Sequence, residues 1–233
     1  MISMKVKAVL FDLGGTLIDS AEMFETFHRI LSLKRIKRPV HEVEKAMRDA
    51  ELELKKEFGE DVPKDIDYYE RWNLNILHRL KVYNKDRELA EEIDKHWFDY
   101  MKIKPHTGLH ETLEKLSASG VKLGIITNGY ESDLEKILPR LSLQDCFDVL
   151  VAADTIGKKK PDPEIFLYAV RKLEVRPSET VFTGDEYEID YIGAKQAGLI
   201  PILFEEKRKG KRSNPPGVNA VRSLKGLLSK IEF

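Results

Sequence analysis

The chain alternates between two hydrophobic patterns. Short runs that are almost wholly apolar occur at residues 6–11, 121–126, 149–152, 181–182 and 200–204, with a weaker run at 218–221. Runs of this length and β-branched content predict strands buried on both faces, as in a parallel sheet covered by helices. Amphipathic stretches follow most of them, and residues 224–231 predict a last helix. Between residues 20 and 103 the strand signal vanishes. Four amphipathic helices are predicted there, over 21–33, 40–58, 65–80 and 86–101, separated by the turn-type stretches "KRPV", "GEDVPKD" and "YNKD". Val43, Met47, Ala50 and Leu54 recur at helical spacing with charges elsewhere.

The simplest organisation is an α/β core, residues 1–19 and 104–233, on a Rossmann-like parallel sheet, with an α-helical bundle, residues 20–103, inserted after the first strand. Composition narrows the class. A 42% hydrophobic, 34% charged chain of 233 residues describes a soluble globular protein. The 39 basic and 40 acidic residues leave a formal charge of −1, so no bulk field favours nucleic acid or an anionic membrane. The N-terminus lacks a signal-peptide pattern and no apolar run approaches spanning length, which places the protein in the cytoplasm. A single cysteine, Cys146, excludes an internal disulfide and reads as a small buried hydrophobe. The Lys- and Glu-rich composition suggests a thermophilic source.

Candidate chemistry lies where the apolar runs end. Ligands of parallel α/β sheets gather beyond the carboxyl ends of the strands, and the residues there are Asp12, Thr127, Asn128, Asp154 and Asp185. Carboxylates in such places are costly unless solvated, paired or metal-bound. Asp12 is followed by Gly14 and Gly15, which let the backbone bend close to an anion and turn its amides inward. "GDEYEID" adds Asp190, which reads as the first residue of a helix. Asp12, Asp185 and Asp190 form a hard oxygen set suited to Mg²⁺. Lys160 abuts a Pro-Asp-Pro turn, and an ammonium fixed there neutralises an aspartate and a phosphoryl oxygen together.

Four elements, "FDLGGTL", "IITNG", "KKPDP" and "GDEYEID" followed by "GAKQAG", resemble the motifs of the haloacid dehalogenase-like hydrolase superfamily in type, order and spacing. The helical insert matches the family's cap between its first two motifs. The resemblance implies that Asp12 is a nucleophile forming an aspartyl-phosphate, and that Thr127 binds a phosphate oxygen beside backbone amides such as that of Gly15. It implies that Asn128 helps orient substrate and that Lys160 stabilises the charged intermediate. Mg²⁺ would be held by Asp12, Asp185, Asp190 and the Gly14 carbonyl. The expected substrate is a small phosphorylated metabolite, with cap residues closing over it and setting specificity. Oligomeric state is not readable.

The chain departs from the family at residue 14, where phosphatases carry an aspartate that protonates the leaving group. Gly14 cannot do so, though Glu22 or Glu25 are near in sequence. Two alternatives therefore stand beside the phosphatase: a 2-haloacid dehalogenase, which needs neither that acid nor magnesium, and a weakly active or non-hydrolytic phosphate-binding regulatory protein. The acid-rich fourth motif favours the phosphatase. His106 and His110 lack the supporting acid of a metal motif. Lys207, Arg208 and Lys209 form a basic stretch after a predicted strand, suited to attracting an anionic substrate. Tyr68, Tyr69, Trp72 and Trp97 are expected to pack the bundle.

Overall fold

The structure is a computed structural model that describes residues 5–19, 23–58, 68–205 and 216–232. It divides into two compact units, Met1–Ser20 with Ile103–Phe233, and Ala21–Lys102.

The first unit is built on a six-stranded sheet. Its strands are β1 (Ala8–Phe11), β4 (Lys122–Ile126), β5 (Val149–Val151), β6 (Thr180–Gly184), β7 (Ile200–Phe204) and β8 (Ala220–Val221). They lie in the order β5-β4-β1-β6-β7-β8, and every pairing is parallel. β1 and β6 are buried along their whole length, as their uninterrupted apolar and β-branched sequences require. The order reverses direction at β1, which opens the crevice where open α/β sheets place their ligands. Registers Phe11↔Ile125 and Phe11↔Thr183 bring the ends of β1, β4 and β6 to nearly the same level. Asp12, Thr127 and Asp185 therefore leave the sheet within about one residue of each other.

Helix α8 (Pro163–Lys172) contributes Ile165, Phe166, Ala169 and Val170 to one buried face with Leu10, Ile126 and Phe182. Phe166 meets Phe182 edge to face, ring centroids 4.9 Å apart, a favoured aromatic geometry. The helix starts where the sequence dictates. Asp162 caps it by accepting from the Glu164 N–H at 2.9 Å, and Pro163 fills its first turn. Helices α5 (Leu109–Ala118), α6 (Glu131–Arg140), α7 (Ala153–Ile156), α9 (Gly193–Gln196) and α10 (Leu224–Leu227) complete the unit. A short antiparallel pair, β2 (Ile18–Asp19) with β3 (Lys104–Pro105), marks where the chain leaves and re-enters it.

The second unit contains α1 (Met23–Leu33), α2 (Val40–Phe58), α3 (Tyr68–Arg79) and α4 (Asp86–Tyr100). Val43, Met47, Ala50 and Leu54 are all buried, as their spacing predicts, against Phe27, Ile30, Ile76, Leu77 and Ile93. Trp72 is buried in the same cluster, and Tyr69 and Trp97 pack against it. The side chain of Tyr68, and the residues Glu22, Lys207, Arg208 and Lys209, lie outside the described set. None of the helices described is long and apolar enough to cross a membrane.

Most element ends fall within two residues of the sequence expectation. The last helix is shorter, Leu224–Leu227 in place of 224–231. Asp190 differs in kind. It sits inside a π-helical turn, Tyr187–Ile192, and α9 begins only at Gly193. Cys146 is half-exposed rather than buried, and burial together with Asp145 and Glu114 raises its pKa, which disfavours a reactive thiolate.

Candidate active site

The polar residues gathered beyond β1, β4 and β6 centre on a buried ammonium. Lys160 Nζ donates to Asp12 Oδ1 at 2.6 Å and to Asp190 Oδ1 at 2.7 Å, with all three side chains nearly inaccessible. It also stands 5.3 Å from the centroid of the Phe182 ring on β6. Asp12 is held at the strand end by its own N–H, which donates to the Thr183 carbonyl at 2.8 Å. Asp190 Oδ2 accepts from the Glu186 N–H at 2.9 Å, so both oxygens of that carboxylate are engaged.

Burial pushes the Asp12 carboxyl up to about 7; Lys160 opposes that rise, while Asp190 and then Asp185 add to it. Burial alone would lower the Lys160 pKa, but Asp12 and Asp190 outweigh it and push it up, so the ammonium stays charged. Among the described residues, the Lys160 ammonium stands beside Asp12 and Asp190, with Asp185 close by. Ligand oxygens of Asp12, Asp185 and Asp190 lie within 4.8 Å of one another, and no other such group of three occurs among the described residues. Asp12 Oδ2 is buried with no hydrogen-bond partner among the described residues. A buried carboxylate oxygen left unsatisfied beside two further carboxylates fits a hard divalent cation, for which oxygen donors are preferred.

Glycines make this crowding sterically feasible. Gly15 has φ +89°, and a Cβ there would lie 2.6 Å from both oxygens of Asp185. A Cβ on Gly184 would overlap the Asp190 carboxyl group. Sequence reading did not single out Gly184, although "TGD" placed it one residue before a candidate ligand. Gly14 differs, since a Cβ there would meet nothing within 4 Å among the described residues.

Thr127 leaves β4 with its N–H bonded to the Val151 carbonyl at 2.9 Å, and its Oγ1 accepts from the Gly129 N–H at 3.1 Å. The hydroxyl proton remains able to donate to an anion. The Asn128 carboxamide, expected to help orient substrate, pairs with the backbone of Lys160. Its Nδ2 donates to the Lys160 carbonyl at 3.0 Å, and its Oδ1 accepts from the Lys160 N–H at 2.7 Å. Among the other strand-end residues, Asp154 turns toward α6, where its Oδ1 accepts from the Glu131 N–H at 3.0 Å. His110 Nε2 contacts the Leu141 carbonyl and His106 packs on the Phe204 ring, so neither joins the acidic group. Glu25 is exposed on α1.

A family model described as haloacid dehalogenase-like hydrolase matches residues 6–198. Glyceraldehyde 3-phosphate phosphatase of Pyrococcus furiosus is 34% identical over 205 residues, 86% of this chain and 81% of that one. Phosphoglycolate phosphatase of Aquifex aeolicus is 31% identical over 201 residues, 85% and 84% of the two chains. Among solved structures, a 2-haloacid dehalogenase from Pseudomonas syringae superposes with a TM-score of 0.68 at 26% identity, covering 96% of this chain and 97% of that one.

Proposed function

The chain belongs to the haloacid dehalogenase-like hydrolases, and from that membership we propose that it is a Mg²⁺-dependent phosphatase of a small phosphomonoester. The observation that carries the reading is the buried Asp12 Oδ2, unpartnered among the described residues, beside Asp185 and Asp190, with Lys160 bonded to Asp12. Phosphatase names on relatives above 30% identity support it.

In this reading Asp12, Asp185, Asp190 and the Gly14 carbonyl hold the ion. When bound, it offsets repulsion between the anionic nucleophile and the anionic substrate. Asp12 attacks phosphorus; a carboxylate O–P bond forms as the P–O bond to the leaving alcohol breaks. The alkoxide takes its proton from solvent, because Gly14 offers no side chain. Water then cleaves the aspartyl-phosphate, releasing inorganic phosphate and restoring Asp12. Thr127 Oγ1 binds a phosphoryl oxygen; the Gly15 N–H expected beside it is already engaged, donating to the Ile18 carbonyl at 2.7 Å. Lys160 keeps its charge against the transferring group.

The test is phosphate release from a panel of small phosphate esters and an aryl phosphate, with Mg²⁺ or with EDTA. Activity is expected only with Mg²⁺ and is lost in Asp12→Asn. One observation favours a second reading: Gly14 lacks the acid a phosphatase uses, and a 2-haloacid dehalogenase does not need one. The three-acid cluster weighs against it, since halide displacement has no use for a divalent site. Chloride release from a 2-haloacid, unaffected by EDTA and without phosphate release, would reverse the choice.

A further inference from the structure

We infer that Asn128 is the positioning residue for Lys160, holding the ammonium on Asp12 and Asp190 through the lysine backbone. The inference rests on the phosphatase reading for its kinetic consequence and on geometry for the rest. Asn128 sits two residues past the end of β4, next to the buried Thr127, so the sheet fixes its backbone. Its carboxamide meets Lys160 at two points, accepting from the N–H at 2.7 Å and donating to the C=O at 3.0 Å. A two-point bond fixes orientation as well as distance, as a ladder pair does in a sheet.

Lys160 needs such an anchor. On its N-terminal side α7 ends at Ile156, Gly157 turns with φ +70°, and the lysine run comes next, outside regular structure. On its C-terminal side the Asp162 N–H bonds the Lys159 carbonyl at 2.8 Å, and Lys158 pairs with Asp162 at 3.1 Å. These contacts hold the residues around Lys160 but not its own peptide groups. The side chain then crosses to Asp12 and Asp190 through four rotatable bonds. Ordering such a chain costs side-chain entropy, and buried ammonium bonds of 2.6 and 2.7 Å tolerate little displacement of the Cα from which it reaches. Anchoring that Cα to β4, the strand that also carries Thr127, puts cation and phosphate-binding hydroxyl on one frame.

The experiment is a double-mutant cycle on the full chain, using Asn128→Ala and Lys160→Met, with 4-nitrophenyl phosphate and Mg²⁺. Misplacing a catalytic group by about 1 Å costs up to about a hundredfold. Asn128→Ala is therefore expected to lower kcat about tenfold to a hundredfold with KM changed less than about twofold. In the Lys160→Met background it should change kcat less than about twofold, because it has nothing left to position. A similar fall in both backgrounds, or a fall expressed in KM, would mean that Asn128 acts on substrate directly and would overturn the inference. A second readout needs no turnover. In spectra of protein labelled at lysine Nζ, the buried Lys160 ammonium should exchange slowly, and Asn128→Ala should speed that exchange while Asn128→Asp, which keeps an acceptor for the Lys160 N–H, restores part of the protection. An unaltered ammonium in Asn128→Ala overturns the inference. Absence of any Mg²⁺-dependent hydrolysis by the unsubstituted protein sinks the phosphatase reading instead, and the spectra still decide the positioning.

Discussion

At the scale of single residues, two adjacent glycines do opposite things. Gly15 is required by geometry: its left-handed φ and the 2.6 Å approach of Asp185 leave no room for a side chain. Gly14 is free of both constraints. It is exposed, it is absent from the positive-φ residues, and among the described residues nothing lies in its Cβ direction. Gly14→Asp should therefore fold normally, with stability changed by no more than about 0.5 kcal/mol, as for surface substitutions free of such features. Under the proposed function its effect depends on the leaving group. Alkoxides depart slowly without a proton and phenolates hardly need one, and a positioned acid is worth roughly 10²–10⁴-fold. Gly14→Asp should accelerate an alkyl phosphate far more than an aryl phosphate, read as the ratio of their kcat/KM values. Equal acceleration of both, or loss of both, would show that the proton is supplied elsewhere. The sequence displayed the glycine but not the space around it, because openness is a property of the neighbours that the fold brings up.

Elements were legible to the extent that their pattern was local. β1 and β6 announce themselves as unbroken apolar runs, and α2 by its buried stripe. The turn that carries Asp190 was not legible. Spacing read it as a helix start, yet the Tyr191 N–H reaches back five residues to the Glu186 carbonyl at 3.3 Å, and the Asp190 N–H shares that acceptor at 2.8 Å. Such a widened turn is set by tertiary fit rather than by periodicity. It aims the Asp190 carboxylate back at Gly184 and Lys160, and Tyr187 and Tyr191 stack along it at 5.5 Å. Asn128 was illegible for the same reason: its partner lies 32 residues away in sequence. Helix α9, which continues from the turn, is equally constrained, since a Cβ at Gly193 would lie 3.0 Å from both Pro161 Cα and Phe166 Cε2. Gly193→Ala should push α9 away from the segment just beyond Lys160. Overpacking of this kind costs about 1–3 kcal/mol, expected here as a lower thermal midpoint together with reduced kcat. An unchanged midpoint would mean that α9 and α8 separate without penalty.

At the scale of the whole molecule, the strand signals of the sequence stop and resume near the bounds of the second compact unit, Ala21–Lys102. What the sequence could not say is that each unit carries its own buried core, one around Phe27, Ile76 and Ile93 and the other around Phe166 and Phe182. The metal-binding part of the proposed function gives that division a consequence. Asp12, Asp185 and Asp190 come from three separate parts of one unit, the ends of β1 and β6 and the π-helical turn, and they bring three carboxylates within 4.8 Å of one another. A cation that joins them should relieve their repulsion and cross-link the three segments. Binding to the folded state alone stabilises by about 2.7 kcal/mol at a hundred times Kd. Mg²⁺ should accordingly raise the thermal midpoint of the native protein and do so far less in Asp190→Asn. Amide exchange should locate the gain, slowing around residues 11–15 and 183–193 while α1 to α4 keep their rates, because local opening is governed by the contacts of each segment. Equal slowing throughout would show the two units opening as a single cooperative body, and no slowing at the three acids would remove the divalent ion from the proposed chemistry.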